Sequence, residues 1–374
     1  MNKDVVMSGL KRLAQITLFS SLLSMSAAAD EFSEVYRAFQ EAVEKDDIVL
    51  STALAKQAWQ LGQQKYGADS ENAVKLRHSY ANMLAQQDYV DEAVSQFKAV
   101  LEQYDSLYDG NSPALLNMHI DILSAVNKLK GMDKAKVSFS QRLSRYIILN
   151  MDDIQFKDDA QKVTTHYLAA TVVINSILGV TNNAILRFYK DNLTIVDGFW
   201  GDKDLRTLES RLLLALVYER FNHSSKAIGN YEIVADTFDS NLDFSHPYAL
   251  NAHAKLVGLY EKKGESDKAT EHCRAIGKMK PWSDDQEPEP LYRVNPDYPV
   301  SYARRGKDGS AVLSFTIDDE GFVRDIELIE TDGGIMFGTA AIKALEHWRY
   351  APRFVGGNAV ATKSRMVRMD FKLG

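Results

Sequence analysis

An alanine followed four positions later by a large side chain recurs down most of this chain at intervals near forty residues. The pairs are Ala55/Trp59, Ala93/Phe97, Ala135/Phe139, Ala184/Phe188 and Ala227/Tyr231, and a last unit has Ala269/Cys273. Ala93 to Ala135 is 42 residues, the next two intervals are 49 and 43, and Ala227 to Ala269 is again 42. Between Asp30 and about Lys280 the apolar residues keep helical spacing. Examples are Ala73, Leu76, Tyr80 and Leu84 in 72–86, and Ala93, Phe97, Val100, Leu101 and Tyr104 in 91–104. The short connection Gln86-Gln87-Asp88 makes these two helices antiparallel neighbours. A period near forty with two helices per unit predicts an all-α helical-repeat solenoid. The alanine lets paired helices approach, and the large residue fills the groove between them.

The best unit runs His253-Ala-Lys-Leu-Val-Gly-Leu-Tyr260-Glu-Lys-Lys-Gly264, then Ala269 and Pro281. It resembles the tetratricopeptide repeat family. Tyr260, Gly264, Ala269 and Pro281 fall on that family's tyrosine, turn glycine, alanine and terminal proline, whereas Val257 and Cys273 replace its small and aromatic residues. Tyr80–Ala85 with Tyr89, Ala93 and Phe97 is the second unit. The pattern is weakest between Gln141 and Lys190, leaving five or six repeats. The resemblance implies a superhelix whose concave face binds peptides or partner proteins. The competing reading is a passive spacer.

With 374 residues, two or three domains are expected. A single cysteine excludes an intramolecular disulfide, an iron–sulfur site and a cysteine-rich zinc site. Cys273 lies on an expected helix and reads as a buried, inert thiol. The formal net charge of −7 leaves no global basic field to recruit nucleic acid. Residues 1–29 read as a secretory signal peptide. Lys3, Lys11 and Arg12 precede an apolar stretch, Leu13–Ala29, which ends in Ala27 and Ala29 at positions −3 and −1. The competing reading is an uncleaved membrane anchor, but a spanning helix wants about 20 mostly apolar residues. This stretch is shorter and diluted by serines. Met7 offers a second start with the same type of leader. The expected address is therefore the periplasm, with the inner membrane as the alternative.

At Pro281–Pro290 the composition breaks, which reads as a linker. Beyond it the period falls from helical to two. Ala311, Leu313, Phe315 and Ile317 alternate with polar or solvent-side positions, and Asp318–Gly321 is a turn. Phe322–Glu330 is a second strand, and Asp308-Gly309 and Gly321 bound the hairpin. Phe337, Ala341, Leu345 and Trp348 follow at one-face helical spacing, and Pro352 is expected to stop that helix. Lys363–Phe371 alternates again, with Val367, Met369 and Phe371 on one side and Ser364, Met366, Arg368 and Asp370 on the other. The expected fold of residues 291–374 is a small α+β domain, a three-stranded antiparallel sheet with one helix on its apolar face. Its last strand would lie at an edge.

Several stretches of these 84 residues carry a resemblance. They are Asn295-Pro-Asp-Tyr-Pro299, Gly306, Asp308-Gly309 through Phe315, Ile317 through Val323, Ala340-Ala341, Ala344-Leu345, Trp348-Arg-Tyr-Ala-Pro352 and Phe371-Lys-Leu373. Together they are similar to the C-terminal domain of the TonB family, periplasmic energy transducers of Gram-negative bacteria. The resemblance implies that a short extended receptor segment, the TonB box, adds beside the last strand by β-augmentation. Carried over, the docking edge is Lys363, Ser364, Arg365, Met366, Val367, Arg368, Met369, Asp370 and Phe371. Asn295 stands where family transducers often have a glutamine that helps engage the receptor, with one methylene less reach. Lys363, Arg365, Arg368 and Lys372 either steer an acidic partner or blunt the edge against aggregation. Isolated domains of the family pair through edge strands, which leaves a homodimer open. The chain departs from family transducers in two ways: residues 13–29 lack the histidine that faces the proton motor, and helical repeats replace a proline-rich rod.

Signals for chemistry are weak. Ser95-Gln-Phe-Lys98 fits S-x-x-K, but it sits on a repeat helix where Phe97 is the packing residue, without companion motifs. His246, His253 and His272 lack a ligand-cluster pattern. The expectation is a non-enzyme with no cofactor, metal or small-molecule substrate. It is read as an accessory or adapter of TonB-dependent transport, or a scaffold that no longer binds receptor segments. A transducer is the third reading, and needs an uncleaved anchor.

Overall fold

The computed structural model describes residues 27–131, 134–176, 181–241, 246–279, 290–355 and 358–373. The expected leader lies outside them except for Ala27–Ala29, which open the first helix. The expected linker lies outside them except for Pro290. Twelve helices come first among the described residues: α1 Ala27–Glu44, α2 Ile48–Tyr66, α3 Glu71–Gln86, α4 Val90–Leu107, α5 Pro113–Lys128, α6 Lys134–Asn150, α7 Asp159–Val173, α8 Asn182–Trp200, α9 Leu205–Arg220, α10 Ser224–Asn241, α11 Pro247–Lys263 and α12 Ser266–Lys278. They make six sequential pairs, in line with the repeat period.

The helix starts are written locally. Asp47, Ser70, Asp158, Thr181 and Asp204 each accept a backbone N–H two or three residues on. Such a cap is worth about 1 kcal/mol. The α11–α12 turn uses Gly264 at φ +75°, a left-handed position suited to glycine.

The chain divides into two compact units. One holds the described residues up to Gly110 together with Ser124–Phe139; the other holds Asn111–Leu123 and the described residues from Ser140 on. In the first unit α1 to α4 pack in sequence. Ala55, Ala93 and Phe97 are buried, and Tyr80 donates its hydroxyl to Glu92 at 2.8 Å. In the second unit α7 to α12 pack in sequence, and α9 also touches α7 and α11. This contact between first helices of successive pairs is what a stacked repeat requires. Ala227, Tyr231, Ala269 and Cys273 are buried there. Tyrosine–glutamate bonds recur: Tyr167 to Glu209 at 2.6 Å, Tyr231 to Glu219 at 3.1 Å, and Tyr260 to Glu232. Two expected alanines depart from the rule. Ala135, second residue of α6, is exposed and Ala184, third of α8, is half-buried, whereas the buried Ala93, Ala227 and Ala269 each stand fourth in their helices; Ser140 and Ser144 are small buried residues of α6.

The C-terminal part has β1 (Pro290–Tyr292), a short helix α13 (Val300–Ala303), β2 (Gly309–Ile317), β3 (Val323–Asp332), α14 (Ile335–Leu345), β4 (Arg349–Tyr350), β5 (Arg353–Val355), β6 (Asn358–Val360) and β7 (Thr362–Phe371). The main sheet has order β3-β2-β7, antiparallel throughout. Its inner face supplies Ala311, Leu313, Phe315, Ile317, Val323, Met369 and Phe371, against which α14 sets Phe337, Ala341 and Leu345. Gly309 has no room for a side chain. A Cβ there would lie 2.3 Å from the Asp332 carbonyl oxygen and 2.5 Å from the Phe337 ring.

One expectation is corrected. The helix ends at Leu345, well before Pro352, and Trp348 lies beyond it. The indole belongs to the same core, but is held by its Nε1–H donating to the Val294 carbonyl at 2.9 Å. The three-stranded sheet with its helix is as expected, and two short ladders stand beside it. β1 pairs with β4 and β5 with β6, and segments of two or three residues are too short for any periodicity to reveal.

Candidate functional site

All nine residues of the expected docking strand lie on β7. It is the outer strand of the sheet, so one row of its backbone N–H and C=O groups faces away from β2. Side chains alternate as expected: Met369 and Phe371 are buried and Val367 is half-buried. Lys363, Ser364, Met366, Arg368 and Asp370 are exposed. Met369 and Phe371 therefore offer only backbone to a partner.

The ladder between β2 and β7 runs without a slip from Gly309↔Phe371 to Phe315↔Arg365. Beyond that, Ile317 faces Thr362, so β7 carries one residue too many. Ser364 absorbs it at φ +60°, the mark of a β-bulge. The other edge has a matching bulge: Ser314 faces Glu327, Thr316 faces Arg324, and Asp325 sits at φ +50°. The regular stretch of the β7 edge is thus Arg365–Phe371, shorter than the nine residues expected.

Electrostatics along this edge are more mixed than four basic residues suggest. Arg368 Nε donates to Asp370 Oδ1 at 3.0 Å, and that carboxylate raises the guanidinium pKa further. Lys363 and Lys372 are exposed at the two ends of the strand, and Arg365 is half-buried. Burial pushes the Tyr350 phenol up to about 12, against the opposing charges of Arg293 and Arg365.

Asn295 is exposed in the segment between β1 and α13. The chain is pinned on both sides of it. Val294 accepts from Trp348, and Tyr298 packs edge-on against Phe337 and Phe371 with ring centroids 5.6 and 5.9 Å apart. The Tyr298 hydroxyl donates to the Lys307 carbonyl at 2.7 Å. Asn295 thus lies on a segment held at Val294 and at Tyr298.

Ser95 and Lys98 are exposed on α4 while Phe97 is buried. His246 caps α11, accepting from the Tyr248 N–H at 3.1 Å. His253 and His272 do meet, Nδ1 to Nδ1 at 2.9 Å, which their spacing did not announce. Burial and the neighbouring imidazole push His272 down to about 4. No group of three metal-ligating side chains occurs among the described residues.

Sequence reasoning missed two sites. A groove of about 740 Å³ is lined by Met151, Asp152, Lys162, His166, Asp191 and Thr194, among others. Arg349, between two core aromatics, is buried against α11 and α12. The only sequence signal for it was a charge alternating with Trp348 and Tyr350.

Residues 294–373 match the family described as Gram-negative bacterial TonB protein C-terminal. Protein TonB of Pseudomonas aeruginosa is 34% identical over 80 residues, which is 21% of this chain and 23% of that protein. The solution structure of the Pseudomonas aeruginosa TonB C-terminal domain is 32% identical. It aligns with 24% of this chain and 90% of its own, at a TM-score of 0.22. The C-terminal segment of this chain belongs to the TonB C-terminal family. The chain spans less than a quarter of the length of the TonB protein it matches, so the shared part is this domain alone. A crystal structure of nearly identical TPR-like repeats from a putative kinesin light chain of Podosopora anserina covers 59% of this chain and all of its own. Its identity is 11% and its TM-score 0.47. No helix among the described residues is long and apolar enough to cross a membrane.

Proposed function

We propose that this chain is a periplasmic accessory of TonB-dependent transport across the outer membrane. Its TonB C-terminal domain takes an extended receptor segment along β7, and its helical repeats hold a second protein of the transport complex. The observation that carries the reading is the open, bulge-free edge Arg365–Phe371 on a domain of the TonB family. Main-chain bonds to that edge supply affinity, and the alternating side chains Met366 and Arg368 supply selectivity. The bulge at Ser364 ends the docking register, so a segment of about seven residues fits. Asn295, exposed on the segment held by Val294 and Tyr298, contributes its amide.

Isothermal titration of the full chain with synthetic TonB-box peptides tests this. Binding heat is expected, and it should vanish when residues 291–374 are deleted. Absence of heat with every receptor peptide, or heat that survives the deletion, would overturn the reading in favour of a structural scaffold.

A further inference from the structure

In a strand, neighbouring side chains point to opposite faces. Trp348 and Tyr350 point into the core of the TonB C-terminal domain. Arg349 between them must therefore point out of it, yet it is 1% exposed. The space around it belongs to the last helical pair. Its guanidinium is ion-paired with Glu261 near the end of α11 and donates to Thr270 Oγ1 on α12 at 2.9 Å. It also lies 3.8 Å from Cys273 Sγ. From its own domain it donates to the Glu320 carbonyl at 3.1 Å and stacks on Phe322, 3.6 Å from the ring centroid.

The surrounding contacts are of one piece with this. Arg274 of α12 bonds Glu320 at 2.9 Å. A Cβ on Gly258 of α11 would sit 3.4 Å from the Tyr292 ring. Gly321, at φ +84°, passes so close that its Cβ would lie 2.1 Å from the Tyr350 carbonyl and 3.5 Å from Cys273 Cβ. The glycines make room, the arginine fills it, and Glu261 neutralises the charge that burial would otherwise forbid.

We propose that the face formed by Glu261, Thr270, Cys273 and Arg274 is a dedicated receptor for the chain's own TonB C-terminal domain, with Arg349 as the latch. The domain is mounted on the repeats rather than tethered beside them. Its docked face, which carries Arg349, Phe322 and Glu320, is closed to outside partners, while the exposed residues of β7 stay free. This mounting holds whether or not β7 takes a receptor segment.

Cys273 is the one cysteine of the chain and serves as a reporter. Arg349 and Gly321 of the docked domain lie against this buried side chain, and burial pushes its thiol up to about 12. The experiment is maleimide labelling of the full chain under native conditions, read by intact mass. Slow labelling is expected for the wild type. Arg349→Glu strips half-buried Glu261 of its cation and sets a second carboxylate against it, leaving the Ser266 hydroxyl as its bonded neighbour, which shifts docking on the order of a hundredfold or more, and labelling should accelerate accordingly. The charge swap Arg349→Glu with Glu261→Arg should restore much of the protection. Wild-type labelling at the rate of a free thiol, or Arg349→Glu labelling as slowly as wild type, would overturn the proposal. Should Arg349→Glu lose helical circular dichroism, Gly258→Gln decides. It favours the α11 helix while wedging against Tyr292, so faster labelling with helicity intact supports the latch and unchanged labelling refutes it.

Discussion

Replacing His166 by phenylalanine should remove a built-in acid sensitivity of the helical part. His166 lies on α7, is 3% exposed, and has a buried Nδ1 with no hydrogen-bond partner. Burial pushes its pKa from 6.5 down to about 4; Lys162 adds to the shift and Asp152 opposes it. The sign follows from linkage. Below about pH 6.5 the unfolded chain binds a proton that the folded chain refuses, so stability is complete above that pH. It falls as pH drops toward 4. A gap of about 2.5 units at about 1.36 kcal/mol each sets a ceiling of about 3.4 kcal/mol, lost at about 1.4 kcal/mol per pH unit. Phenylalanine keeps a ring against Phe156, whose centroid is 6.0 Å away, and cannot titrate. The difference in unfolding free energy between wild type and His166→Phe should shrink by roughly 3 kcal/mol from pH 7.5 to pH 4. Urea titrations across that range measure it, and the ring resonances of His166 give the pKa directly. Parallel pH profiles for the two proteins, or a ring that titrates near 6.5, would refute the argument.

Two further outcomes concern the TonB C-terminal domain. Ser364 holds a left-handed conformation at φ +60°; Ser364→Gly should leave stability equal or raised by about 0.5 kcal/mol, and Ser364→Val should lower it by about 1–2 kcal/mol. Thermal melts decide, and a valine variant as stable as wild type would contradict the bulge. Gly309→Ala should cost about 2–3 kcal/mol because its Cβ would overlap the Asp332 carbonyl and the Phe337 ring. Gly110→Ala, with nothing within 4 Å, should stay within about 0.5 kcal/mol in the same denaturation assay.

Local chemistry made much of this protein readable from its residues. Helical periodicity placed α3 and α4, because an amphipathic face repeats every 3.6 residues whatever it later packs against. Alternation placed β2, β3 and β7 for the same reason, with a period of two. The pairing of small and large residues announced hairpins at Ala55, Ala93, Ala227 and Ala269. It erred at Ala135 and Ala184, which stand earlier in their helices than the buried alanines. Trp348 was assigned to the core correctly but to the helix wrongly, since a core position after a helix end can mimic one more turn.

What the tertiary structure alone decided lies in contacts between residues far apart in the chain. Arg349 reads as one charge in a strand until α11 and α12 close over it. His253 and His272 are ordinary helix positions until neighbouring helices bring their rings together. The slip that ends the β7 ladder at Ser364 depends on how β2 and β7 are paired, and register is a property of two strands at once. Periodicity tells each segment which side to bury, but the partner that does the burying is chosen only when the whole chain has packed.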